Sequence, residues 1–344
     1  MPSLTDRSPK LDRDRLVRDL VPPPRFDGER FSTYRPDPSE PSQAAARQRL
    51  EEYAAGLRGD GDGNGNGNGN GKGKGLFGRR RKRPQAGRGI YLDGGFGVGK
   101  THLLAGLWHE AAGPKAFGTF VEYTNLVGAL GFAQTVEALS GHQLVCIDEF
   151  ELDDPGDTVL MATLLARLTE AGVSLAATSN TLPDALGEGR FAAEDFLREI
   201  QALASRFDVV TVDGPDYRHR ESLESPAPLD EAEVHAATER DGAVRDHFVD
   251  VTRHLSTVHP SRYRAMLDGV TAVGWTHVRA VTDQAVALRL VVLADRLYDE
   301  DIPLFASGVP LGEVFSPEML AGGYRKKYFR AVSRLTALAR GDDR

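Results

Sequence analysis

Between residues 89 and 212 short unbroken apolar runs alternate with segments whose apolar positions recur three and four apart. The runs Gly89–Leu92, Thr119–Tyr123, Leu144–Ile147, Leu175–Thr178 and Val209–Val212 predict strands, and helices are predicted from Lys100, Asn125 and Asp157 and over Phe196–Ala204. Runs without polar alternation are those of strands covered on both faces. The pattern therefore predicts an α/β fold, a parallel sheet flanked by helices with its ligand at the carboxyl ends of the strands.

The flanks read differently. Residues 1–58 are charged and proline-rich, then helical from Pro41-Ser42 to Leu57, with Ser42 as the expected N-cap. Residues 59–88 hold a glycine–asparagine run that has too little apolar surface to offset its ordering entropy, then the basic cluster Arg79-Arg80-Arg81-Lys82-Arg83. This stretch is expected to be a disordered linker with a solvated charge run. Residues 89–224 form the expected core. Residues 225–344 read as a mainly helical C-terminal lid region, with helices over Leu229–Leu255, Gln284–Tyr298 and Tyr324–Leu338 and one extended segment near Gly269–Val278.

Composition adds limits. Of 344 residues, 50 are acidic and 42 basic, a formal charge of −8 that argues against a protein coating nucleic acid non-specifically. Cys146 is the single cysteine, so no intrachain disulfide exists, and it sits inside an apolar run as a small core residue. The amino-terminal residues lack an apolar signal region, and no apolar run is long enough to span a bilayer. A cytoplasmic protein with at most peripheral membrane association is expected.

The chemistry concentrates after the first predicted strand. Gly94-Gly95-Phe96-Gly97-Val98-Gly99-Lys100-Thr101 fits G-x-x-x-x-G-K-[ST] and opens a helix at Lys100 and His102. Glycines let successive N–H groups curl around the β- and γ-phosphates of ATP, Lys100 adds a point charge, and the Thr101 hydroxyl is suited to Mg²⁺. Leu144–Ile147 runs into Asp148-Glu149, the form of a second acidic element. Asp148 is placed to hold hydrated Mg²⁺ and Glu149 to orient the attacking water. The strand Leu175–Thr178 leads to Asn180, a neutral amide for the γ-phosphate. Arg206 follows the Phe196–Ser205 helix and is the first candidate for an arginine finger reaching a neighbouring subunit, with Arg190 and Arg198 as competitors. No H-E-x-x-H pattern is present, and no catalytic metal beyond Mg²⁺ is indicated.

With the phosphate loop, Asp148-Glu149 and Thr178-Ser179-Asn180 in this order, the chain resembles the AAA+ P-loop NTPases. It is more narrowly similar to the ZapE cell-division ATPases and their mitochondrial relatives, the AFG-like ATPases. The narrower resemblance rests on Gly87–Leu92, Asp148-Glu149-Phe150, Leu182-Pro183-Asp184, Phe196–Ile200, Asp216-Tyr217-Arg218, Leu293–Asp299, Val309-Pro310-Leu311 and Ser333-Arg334-Leu335. It implies an oligomeric ATPase that remodels a protein partner, with FtsZ and other division-ring components as the expected class, and by analogy a nucleotide-sensing role for Arg334. Phe120–Leu126 lacks the histidine-containing segment usual in that family and the Gly/Asn linker is extra; both bear on the partner rather than on hydrolysis. The alternative is a DnaA- or DnaC-like ATPase acting on nucleic acid, since Gly99-Lys100-Thr101-His102-Leu103 also suits such loaders.

Overall fold

The computed structural model describes residues 2–10, 12–58, 89–95, 97–150, 155–182, 197–215 and 226–340. The Gly/Asn run, the basic cluster at 79–83, Phe96 and Arg190 lie outside them. The chain divides into two compact units. One comprises Val17–Pro22 and Gly28–Arg218, the other Met1–Leu16, Pro23–Asp27 and His219–Arg344. The first 58 residues, expected as a region of their own, are thus shared between the units.

The first unit is built on five parallel strands: β1 (Gly89–Asp93), β2 (Lys115–Thr119), β3 (Leu144–Asp148), β4 (Ser174–Ser179) and β5 (Phe207–Thr211). Their spatial order is β2-β3-β4-β1-β5. Nearly every residue of β1, β3 and β4 is buried, whereas β5 at the sheet edge alternates and leaves Val209 exposed. Cys146 is buried within β3. The unbroken apolar runs of the sequence are therefore the central strands, covered on both faces.

The second strand is displaced from its expected place. It occupies Lys115–Thr119, and Thr119–Tyr123 instead opens the helix Phe120–Leu130. The cause is a capping box: the Thr119 hydroxyl accepts the Glu122 N–H and the Glu122 carboxylate accepts the Thr119 N–H at 2.7 Å. Phe120, Tyr123, Leu126, Val127 and Leu130 are buried, a helical spacing that the local alternation concealed.

The helix Pro41–Arg58 packs in this unit against the helix Lys100–Glu110 and against β1 and β5, burying Ala46, Leu50, Ala54 and Leu57. Its Tyr53 hydroxyl donates to the Leu175 carbonyl at 3.0 Å. Ser42 is not its N-cap. The helix already begins at Pro41, whose missing N–H suits the first turn, and the Ser42 hydroxyl accepts the Asp213 N–H at 2.9 Å.

The second unit is mainly helical by residue but holds a small parallel sheet, β6 (Ala243–His247), β7 (Ala272–Val278) and β8 (Leu304–Gly308), in the order β6-β7-β8. Strand β7 fills the extended segment expected near Gly269–Val278. The single helix expected over Leu229–Leu255 is broken into Glu231–Ala237, β6 and Phe248–Leu255. Gly242 makes the break: its φ of 78° is left-handed, and a Cβ there would lie 2.8 Å from the Gly269 carbonyl oxygen. Trp275 is fully buried at the centre of this core. Leu4 joins the same core while its N–H donates to Asp246 Oδ2 at 2.9 Å, so the start of the chain belongs to this unit. No helix among the described residues is long and apolar enough to cross a membrane.

Candidate active site

Strand β4 lies between β1 and β3, with Leu92 paired to Thr178, Asp93 to Ser179 and Ile147 to Ala177. This register brings three carboxyl ends together: the loop after β1, Asp148-Glu149 after β3 and Asn180 after β4. Gly97 and Gly99 adopt left-handed φ values of 70° and 88°, and Gly99 is the residue from which the Lys100–Glu110 helix starts. Lys100 is 8% exposed. Its Nζ donates to the carbonyls of Gly94 at 2.8 Å and Gly95 at 2.5 Å and to Asn180 Oδ1 at 2.9 Å. The lysine and the amide, singled out separately in the sequence, meet in one hydrogen bond.

The acids are held by two hydroxyls. Thr101 Oγ1 donates to Asp148 Oδ1 and Oδ2 at 3.2 and 3.1 Å, and Thr178 Oγ1 donates to Asp148 Oδ1. The same Thr178 oxygen accepts the Glu149 N–H at 3.1 Å, and the Phe150 N–H donates to the Thr178 carbonyl at 2.7 Å. Glu149 sits at φ 52°, a left-handed conformation costing roughly 1–3 kcal/mol in a non-glycine residue, and these flanking bonds hold it there. Burial, with the neighbouring Glu149 charge adding to it, pushes the Asp148 carboxyl up to about 6, against the pull of the Thr178 and Thr101 hydroxyls and Lys100. A buried carboxylate under that strain, beside the Thr101 hydroxyl, is a hard-oxygen donor set whose charge a divalent cation relieves. It fits Mg²⁺.

Other expected site residues stand elsewhere. The His102 ring turns to the segment before the Pro41–Arg58 helix: Nδ1 lies 3.1 Å from Glu29 Oε2, and Nε2 lies 3.0 Å from both Thr33 Oγ1 and the Arg30 carbonyl. Arg206 precedes β5, and its carbonyl accepts the Gly89 N–H at 2.7 Å. It therefore stands at the amino end of the sheet, separated from its own phosphate loop by a five-residue strand of roughly 16 Å. Its Nε is buried without a hydrogen-bond partner among the described residues. Arg198 is exposed on the helix Leu197–Ala204, and Arg190 is outside the described residues. Arg334 belongs to the second unit, where its guanidinium pairs with Asp295 and lies 5.3 Å from the Tyr298 ring centroid.

Sequence reasoning missed three supports. Thr178 was visible within Thr178-Ser179-Asn180, but nothing in its spacing showed that its hydroxyl bridges the two acids. Tyr34 donates to the Val98 carbonyl at 3.0 Å, and Gln43, 1% exposed, joins the Asp37 N–H to the Asp213 carbonyl at 2.8 Å each. Tyr34 comes from a stretch that reads as charged and proline-rich and Gln43 from the first turn of the helix that follows, and only long-range packing reveals them.

A family model described as AFG1-like ATPase matches residues 14–241 and 226–343. Cell division protein ZapE of Escherichia coli K12 is 32% identical over 145 residues, covering 39% of this chain and 39% of that protein. An uncharacterised protein of Schizosaccharomyces pombe is 27% identical over 165 residues, covering 40% of this chain and 35% of that protein. The chain thus spans about two fifths of the length of the curated relatives it matches. Among solved structures, DnaI matches at 17% identity with a TM-score of 0.43, over 59% of this chain and 100% of that one. AMPPCP-bound DnaA from Aquifex aeolicus matches at 11% identity with a TM-score of 0.40, over 71% and 63%. With the family model spanning most of its length, and with a phosphate loop and paired acids at the carboxyl edge of a parallel sheet, the chain belongs to the AFG1-like ATPase family.

Proposed function

We propose that the chain hydrolyses ATP with Mg²⁺ at the Gly94–Thr101 loop and couples the cycle to remodelling a protein partner, as an ATP-dependent homo-oligomer in the cytoplasm. The observation that carries the catalytic part is the Asp148 carboxylate set between the Thr101 and Thr178 hydroxyls, with Lys100 drawn to Asn180 on the adjoining strand. Mg²⁺ bound at Thr101 and Asp148 supplies neutralisation of phosphate charge. The chain's own groups do the rest. Gly94, Gly95, Phe96, Gly97, Val98 and Gly99 offer backbone N–H groups to the phosphates, joined by His102 at the start of the helix. Lys100 pairs with the β- and γ-phosphates. Asn180 contacts the γ-phosphate, and Glu149 orients the attacking water. Arg206, set at the end of the sheet remote from its own loop, completes the site of a neighbouring subunit. By analogy with the family, Arg334 is the candidate nucleotide sensor.

The protein partner is read from the ZapE relative, whose name ties it to cell division; FtsZ or another division-ring component is the proposed class. The test is affinity capture from cells with Glu149→Gln, which binds ATP and hydrolyses it poorly, against Lys100→Ala. Enrichment of division proteins only with Glu149→Gln supports the reading. Recovery of replication proteins or nuclease-sensitive DNA instead replaces it with a nucleic-acid-acting ATPase.

A further inference from the structure

The segment from Gly28 to Asp37 lies along one face of the helix that opens at Lys100. Tyr34, 6% exposed, donates its hydroxyl to the Val98 carbonyl at 3.0 Å. Its ring rests directly on Gly99, where a Cβ would lie 2.6 Å from Tyr34 Cε2. The same ring meets His102 edge-on, with centroids 5.3 Å apart. Phe31, also 6% exposed, covers Gly106, where a Cβ would lie 3.2 Å from Phe31 Cδ1. Gly99, His102 and Gly106 are spaced three and four apart, so one stripe of the helix meets the segment. The segment is anchored at both ends, at one by Glu29 and Thr33 on His102 and at the other by the Asp37 N–H on Gln43.

From this geometry we infer that Tyr34 is a positioning residue for the phosphate loop, fixing the Val98–Gly99 peptide so that its N–H faces bound phosphate. In a planar trans peptide the C=O and the following N–H point in opposite directions. A hydroxyl that holds the Val98 carbonyl outward therefore aims the Gly99 N–H inward. Gly99 has no side-chain cap of its own and sits at φ 88°, and among the described residues Tyr34 is the side chain that holds the Val98 carbonyl. Tyr34 also leaves no room for any residue but glycine at position 99.

The inference rests on the assignment of Gly94–Thr101 to the phosphates, and the test separates the two. In the full chain, affinities for ATP, ADP and AMP are measured by competition with a fluorescent ATP analogue, alongside KM, kcat and thermal unfolding. Tyr34→Phe keeps the ring and removes the hydroxyl. It is expected to weaken ATP and ADP about threefold to tenfold, the effect of one neutral hydrogen bond, and to raise KM with kcat within about twofold. AMP, which has no β-phosphate for the loop, is expected to bind as before. Unchanged ATP affinity, or equal weakening of all three nucleotides, overturns the role of Tyr34. Lys100→Ala is the control: loss of ATP binding there with none in Tyr34→Phe overturns Tyr34 alone, whereas ATP binding intact in Lys100→Ala overturns the site assignment and Tyr34 with it.

Discussion

The Thr178 hydroxyl donates to Asp148 Oδ1 at 2.5 Å and at the same time accepts the Glu149 N–H at 3.1 Å. One side chain of β4 thus sets the direction of the buried carboxylate and the left-handed backbone of the acid that follows it. Thr178→Val, isosteric but without the hydroxyl, is predicted to lower kcat by about 10–100-fold, the scale of a misplacement of about 1 Å in a positioned group. ATP affinity changes little. Thr178→Ser retains most of the turnover. Phosphate release and nucleotide binding measured on the three proteins check this, and full turnover in Thr178→Val would show that Asp148 and Glu149 need no such bridge.

Arg206 stands at the amino end of the sheet, where its carbonyl closes onto Gly89. Arg206→Ala is predicted to lose roughly 10³–10⁵ in kcat while ATP affinity is spared. Mixing Arg206→Ala with Glu149→Gln should restore turnover, because one variant brings a complete nucleotide site and the other an intact arginine. A mixture no more active than the sum of its parts assigns the finger to Arg198, Arg190 or no arginine.

Asp295 is the centre of a partly buried ion cluster in the second unit, with Arg330 at 3.1 Å and Arg334 on its other oxygen. Burial works to raise its pKa, but the two guanidinium groups outweigh it and hold the carboxyl below its ordinary value. Asp295→Asn removes the carboxylate charge that both guanidinium groups share and is predicted to destabilise the protein by about 1–3 kcal/mol at neutral pH. A depressed folded pKa contributes stability above the unfolded value, about 3.9, and loses it as pH falls through the lower folded value. The gap in Tm between wild type and Asp295→Asn should therefore close only in that acidic window. A gap that persists there, or no gap at neutral pH, would remove the cluster's structural role.

Much of the first unit was legible because β1, β3 and β4 are covered on both faces, and continuous apolar runs such as Leu144–Ile147 have no other comfortable home. The candidate residues also stood in plain sight, and the register of β1, β3 and β4 brings Lys100, Asp148 and Asn180 to one edge of the sheet. What escaped the sequence was non-local. Thr119 reads as the start of a strand until its box with Glu122 is seen, and Ala243–His247 is too short and too polar to stand out as β6 within a helical pattern. Tyr34 and Gln43 act on loops more than sixty and about one hundred and seventy residues away, a relation that no local periodicity encodes.

The proposed function stands on ATP binding by the Gly94–Thr101 loop and on its hydrolysis at Asp148 and Glu149. ATP binding and phosphate release, measured side by side for wild type, Lys100→Ala and Glu149→Gln with Mg²⁺ and with EDTA, test it most directly. No binding is expected in Lys100→Ala, near wild-type binding with turnover reduced at least about 100-fold in Glu149→Gln, and turnover in wild type that EDTA stops. Wild-type turnover in Glu149→Gln, or hydrolysis indifferent to EDTA, would contradict it.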